Sequence, residues 1–187
     1  MDKLLVTRGL ALPFFPMRPA HGPALRTRKD VSEVWKRANS LAYVRQPKLN
    51  DDRAVLAVVD GQVYLQNRYA QWMRQPCNVH RWLKLPDRTV LDGGVYGKQF
   101  YPFEALAVWG RSFLGATCEE RIVMAFQMSR LCGVPWMFES PTRSWIEARE
   151  ANAPQYEGIV LKARNSPYIL AGSATQENSS WLKCRWV

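Results

Sequence analysis

The chain has 187 residues, enough for one domain with a sizeable core, and its 47% hydrophobic share with eight tryptophans excludes a disordered protein. A net charge of +10 and a pI near 9.8 point to a polyanionic partner, nucleic acid first and an acidic membrane second. Four cysteines with no CxxC pair and only two histidines argue against structural zinc and suit a reducing, cytoplasmic compartment. The apolar run at residues 10–15, cut by Pro13, is too short for a signal segment or a membrane span.

Residues 1–29 mix Pro, Arg and Gly with aromatics and are expected to form an irregular arm laid against a body of residues 30–187. Asp30 or Ser32 is expected to cap a helix through Val34, Trp35 and Ala38 to about Ser40. A strand then leads to Lys48, and a second runs over residues 53–59. Asp60-Gly61 signals a tight hairpin into the alternating strand Val63-Tyr64-Leu65, which Asn67-Arg68-Tyr69 closes. Residues 70–88 show no usable periodicity. Thr89-Val90-Leu91 reads as a short strand ending at Asp92-Gly93-Gly94, and residues 103–109 as another. Thr117-Cys118-Glu119-Glu120 has the form of a capping box. It opens a helix with Ile122, Val123, Phe126 and Leu131 as its expected apolar face and Gly133 as its stop. Residues 134–138 read as a buried strand and 144–152 as a helix, followed by strands at 158–162, 168–170 and 181–187. Hairpins with helices between them predict an α+β fold on mostly antiparallel sheets.

The stretch from Gln46 to Arg53 carries the chemistry. Lys48 lies between an aromatic, apolar lead-in and the apolar run that follows Arg53. Lysine is rare at the edge of a buried sheet unless it is paired or functional. Partly desolvated and close to other cations, it loses proton affinity and becomes a usable amine nucleophile. Arg53 would emerge on the same rim, where a cation can hold ribose or phosphate. Taken alone, this stretch is read more simply as a surface turn with both cations solvated, since short motifs are weak.

Further segments narrow the choice: Asn67-Arg68, Leu91-Asp92-Gly93-Gly94, Tyr101-Pro102-Phe103-Glu104, Tyr156-Glu157-Gly158-Ile159-Val160-Leu161-Lys162 and Trp181-Leu182-Lys183-Cys184-Arg185. With Lys48 and Arg53 they resemble, in order and spacing over roughly residues 40–187, the nucleotidyltransferase domain of ATP-dependent DNA ligases. RNA ligases and mRNA capping enzymes share that fold. The resemblance implies that Lys48 attacks the α-phosphate of ATP to give lysyl-AMP. AMP then passes to the 5′-phosphate of nicked double-stranded DNA, and the 3′-hydroxyl displaces it. It further implies catalysis by Lys48, Glu157 and Lys183, and nucleotide contacts from Gln46, Lys48, Leu49, Arg53, Phe103, Lys183 and Arg185. Phe103 would stack on adenine, Glu157 would bind magnesium, and Arg68 would contact the DNA 5′-phosphate. A monomer acting in DNA repair or replication, with no membrane partner, completes that expectation; its compactness suggests a viral form working in host cytoplasm.

Several positions depart from the family pattern. Asn50 replaces the first-motif aspartate, and Asp51 replaces the following glycine. Gly94 replaces the third-motif glutamate, which family members use near the ribose. Gln46 stands for a glutamate and Arg185 for a lysine. The sequence ends two residues after Arg185, so the OB-fold domain and sixth motif are expected to be supplied by a separate chain or clamp, lost by truncation, or dispensable. A degenerate, DNA-binding relative, or an RNA ligase or capping-type enzyme, are the alternative readings.

Overall fold

The computed structural model describes residues 3–39, 42–74, 79–134 and 155–187. Among them are eleven strands and two α-helices. The strands form one five-stranded sheet, one four-stranded sheet and a separate hairpin. All pairings are antiparallel except one, as expected for this α+β class.

In the five-stranded sheet β5 (Asp52–Val59) is flanked by β6 (Gln62–Asn67), at one edge, and by the central β7 (Thr89–Tyr96), with β8 (Gln99–Val108) and β9 (Arg111–Ser112) beyond. β5 reads as a continuous apolar run because both of its faces are buried. Alternation sends Ala54, Leu56 and Val58 to one core with Trp82 and Phe100, and Val55, Ala57 and Val59 to another with Trp181. The turn from β5 to β6 holds Asp60 and Gly61 at φ 50° and 70°, the mirrored two-residue turn that the Asp-Gly pair predicts.

β4 (Tyr43–Leu49), β10 (Tyr156–Ala163), β11 (Glu177–Arg185) and β3 (Arg18–His21) make the four-stranded sheet. α1 (Arg28–Asn39) covers its outer face through Val31 and Val34, which meet Ile159, Leu161 and Cys184. The inner face carries Trp181 towards the first sheet. The short β4–β5 turn crosses from one sheet to the other, and so places Lys48 and Arg53 where the two sheets meet.

Several expectations are corrected. The first 29 residues are not irregular. β1 (Leu4–Thr7) and β2 (Leu10–Leu12) form a hairpin whose Val6, Leu10 and Leu12 enter the core, and β3 pairs in parallel with β11. The cap of α1 is Thr27, earlier than either proposed residue. Its hydroxyl accepts from the Asp30 N–H at 3.3 Å, and the Asp30 carboxylate accepts from the Thr27 N–H at 2.8 Å. β7 continues through the glycines instead of ending there, since Gly93 and Gly94 pair with Ala54 and Arg53 of β5, and a Cβ at Gly93 would stand 2.6 Å from the Phe100 ring. β8 accordingly starts at Gln99 and β11 at Glu177. Residues 168–170 are not a strand; the Tyr168 N–H donates to the Leu114 carbonyl, and the Tyr168 ring meets Trp181 edge-on at 5.7 Å. Within the unassigned 70–88 segment, a 3-10 helix, Val79–Lys84, buries Trp82 against Phe100.

The helix α2 (Cys118–Cys132) has its capping box at Thr117 and its left-handed stop at Gly133, as read from the sequence. Its packed face is different. Cys118, Arg121, Ala125, Met128, Ser129 and Cys132 are buried, whereas Val123, Phe126 and Leu131 are exposed and Ile122 is half-buried. Small residues let the helix lie close to β8, and the buried Glu104 of β8 draws Arg121 inward at 2.7 Å. Val134 is buried and carries no strand; residues 135–138 and the expected helix at 144–152 lie outside the described residues.

Candidate active site

Register explains the site. Lys48 of β4 lies opposite Gly158 of β10, which lies opposite Arg185 of β11; Lys183 is two pairs further, opposite Val160. The ladder is irregular between Tyr156 and Gly158. Gly158 has φ 151°, and a Cβ there would stand 2.9 Å from the Arg185 Cα, so only glycine lets β11 approach. The irregularity turns Glu157 onto Lys48. Its Oε1 contacts the Lys48 Nζ and lies 3.3 Å from Arg185. The Lys183 Nζ donates to Glu177 at 3.0 Å.

These groups open into a cavity of about 440 Å³. Burial lowers the Lys48 amine from its ordinary 10.5 to about 8. Asp51 opposes that shift, while Arg185, Arg53 and Lys183 add to it. Burial raises the Asp51 carboxyl to about 6 against the pull of Arg53 and Lys48. Asp51 has no positive φ, so this position does not require the glycine of the family pattern.

Arg53 is fixed rather than free. Its Nε donates to Asp92 Oδ1 at 2.7 Å, its Nη2 contacts Asp92 Oδ2, and Nη2 also donates to the Met17 carbonyl at 3.1 Å. Burial opposes the guanidinium charge, but fully buried Asp92 outweighs it and holds Arg53 above its ordinary pKa. Asp92 also accepts from the Tyr168 hydroxyl at 2.8 Å, and that hydroxyl accepts from the Met17 N–H at 3.0 Å. The sequence assigned no role to Asp92 or Tyr168. Asp92 stood inside a motif, but nothing local marked Tyr168, which arrives from a segment 76 residues away.

Beside this cleft, and sharing Lys48, Asp51 and Arg53 with it, lies a slot lined by Phe103, Val160 and Trp181. Gln46 is buried at its edge and donates to the Phe103 carbonyl at 3.3 Å, and buried Leu49 also lines it. The slot measures about 50 Å³, room for one or two waters. The β7–β8 ladder is irregular at Phe103, so Phe103 faces the slot while its neighbour Glu104, paired opposite Asp92, is fully buried. Glu104 there binds Arg121 and Lys162, and the Lys162 Nζ lies 3.8 Å from the Trp181 ring centroid. Arg68 is exposed, stacked on Tyr69 at 4.7 Å, and lines the large cleft on the wall opened by β6. The structure thus brings Lys48, Arg53, Arg68, Glu157, Lys183 and Arg185 to one cleft, with Gln46, Leu49 and Phe103 in the adjoining slot.

Among the described residues no three acidic, histidine or cysteine side chains are grouped as metal ligands, and no helix is long and apolar enough to cross a membrane.

No family model and no curated protein matches the sequence. Solved structures do. A mycobacterial DNA ligase D complexed with ATP and MES matches with a TM-score of 0.62 at 18% identity, over 92% of this chain and 60% of that one. The ligase domain of M. tuberculosis LigD gives 0.64 at 18%, over 92% and 59%. Chlorella virus DNA ligase-adenylate gives 0.51 at 12%, over 91% and 69%. At such identities the likeness concerns fold. The chain, spanning about 60% of the mycobacterial structures, has the α+β nucleotidyltransferase fold of ATP-dependent DNA ligase adenylation domains.

Proposed function

We propose that the protein is an ATP-dependent DNA-ligase-type adenylyltransferase with Lys48 as its nucleophile. The observation that carries this reading is the partly desolvated Lys48 amine, lowered to about 8, at the meeting point of a cationic cleft and an aromatic slot. Such chemistry needs positioning and charge neutralisation more than elaborate acid–base machinery. The Lys48 Nζ lone pair would form a bond to the α-phosphorus of ATP. The bond from that phosphorus to the bridging oxygen would break, and pyrophosphate would leave with the electron pair. Glu157 Oε1, in contact with Nζ, is placed to take the proton that nitrogen must shed. Lys183 and Arg185 offset the phosphate charge, and Arg53, held by Asp92, presents a fixed cation beside the sugar. The base would enter the slot against Phe103, which at about 50 Å³ would have to widen to admit it. Arg68 would bind the 5′-phosphate of nicked double-stranded DNA, to which AMP passes before the 3′-hydroxyl seals the break.

Magnesium fits this donor set. A magnesium site takes one or two carboxylates and completes its shell with substrate phosphates and water, so Glu157 in the cleft suffices on the protein side. When bound, the ion would offset charge on the departing pyrophosphate. The proposal includes a cytoplasmic monomer acting in DNA repair or replication, consistent with the +10 charge.

The test is intact-protein mass after incubation with ATP and magnesium, beside Lys48→Ala, with both preparations first stripped by pyrophosphate. A gain of one AMP on the native chain alone is expected. An adduct on Lys48→Ala, or none on the native chain, overturns the assignment. Salt-sensitive DNA binding without adduct would leave a non-catalytic binding domain.

A further inference from the structure

We propose that Asp51 and Gly94 are a reciprocal exchange, in which the Asp51 carboxylate binds the hydroxyls of a ribonucleotide from the volume that residue 94 occupies in the ligase pattern. This rests on the nucleotide-binding reading above and names the determinant that selects ribose.

β5 pairs with β7 so that Arg53 lies opposite Gly94, two residues from Asp51. A Cβ built on Gly94 would overlap the Asp51 carboxylate and stand 2.8 Å from the Asp51 Cβ. The two positions therefore compete for one volume, and only one side chain can fill it. In the ligase pattern the acid is at the second position with glycine at the first; here both are reversed. The carboxylate has moved from β7 to the β4–β5 turn while keeping its place in the cleft.

Its surroundings identify the ligand. Asp51 lines both the phosphate cleft and the aromatic slot. With the base in the slot and the α-phosphate at Lys48, the sugar must bridge them past Asp51. A carboxylate accepts hydrogen bonds and donates none when ionised. The sugar's vicinal hydroxyls are matching donors, and a 2′-deoxy sugar lacks one of them.

The experiment compares equilibrium binding of ATP and 2′-deoxy-ATP by the native chain, Asp51→Asn, Asp51→Gly, Gly94→Glu and the Asp51→Gly/Gly94→Glu double variant. Thermal unfolding is measured on each. Losing a hydrogen bond to a charged acceptor should cost roughly ten- to a hundredfold in affinity, so the native chain should prefer ATP by that factor. Asp51→Asn and Asp51→Gly should lose most of the preference. Gly94→Glu should lower both binding and Tm, because two carboxylates meet in one space. The double variant should regain preference and Tm, a non-additive recovery. A purely structural Asp51 would change Tm and leave the ATP to deoxy-ATP ratio alone, which overturns the proposal. A native chain without preference, a chain binding neither nucleotide, or a double variant worse than both singles does so too. Adduct formation is read separately: an adduct without sugar preference removes this inference alone, and sugar preference without adduct removes the transferase reading alone.

Discussion

The pH dependence of lysine adenylylation tests the Lys48 assignment most directly. Attack requires the neutral amine. With a pKa of about 8 in place of 10.5, the neutral fraction at pH 7 rises from about 0.03% to about 9%, a gain of roughly 300-fold. The single-turnover rate of adduct formation, followed by intact mass, should climb about tenfold per pH unit below 8 and flatten above it. Charge variants move the break in opposite directions. Lys183→Met or Arg185→Gln removes a cation that disfavours the ammonium, so the break should rise. Asp51→Asn removes an anion that favours it, so the break should fall. Each shift should stay below the whole displacement, because burial is its largest cause. A rate still climbing tenfold per unit past pH 9.5, as for an ordinary solvated lysine, would refute the reasoning.

Other expectations follow from the same geometry. Phe103→Ala should weaken ATP binding by about 1–3 kcal/mol, the range for aromatic–base stacking, in calorimetric titration, while urea unfolding moves little because the ring is only half-buried. Arg68→Ala should weaken binding to nicked duplex uniformly across sequences and reduce the salt slope by about 1, with adenylylation unchanged; a loss of adduct would place Arg68 at the nucleotide instead. Glu104→Ala strands Lys162 and Arg121 in the core and should cost about 3–5 kcal/mol in urea unfolding; a cost under about 1 kcal/mol would show the cluster to be hydrated.

Local chemistry was legible wherever it was self-contained. The Asp60-Gly61 turn, the Thr117 capping box, the Gly133 stop and the apolar run of β5 each follow from residues adjacent in the chain. The same reading picked the wrong face of α2, since periodicity reports where apolar residues fall and not what lies opposite. Buried Glu104 drew in Arg121, a cation that a hydrophobic pattern assigns to solvent, and Val123, Phe126 and Leu131 were left outside. The N-terminal arm was misread for a similar reason. Its Pro and Gly content signals turns, but Val6, Leu10 and Leu12 become core only because the face of β5 carrying Val55 and Val59 needs covering. Residues 134–138 and 144–152 bear on neither side, as all but Val134 fall outside the described residues.

By itself, the sequence determined which residue types stand at Lys48, Arg53, Phe103, Glu157 and Lys183, and the alternation that makes the strands. Their order along the chain was enough to suggest the fold that the ligase structures share. Only the tertiary structure decided the lowered proton affinity of Lys48, because desolvation depends on two sheets closing around an amine. It alone tied Arg53 to Asp92 and Tyr168 and set Asp51 in the space above Gly94. Those contacts join segments far apart in sequence, and no periodicity or motif encodes the volume that two distant side chains must share.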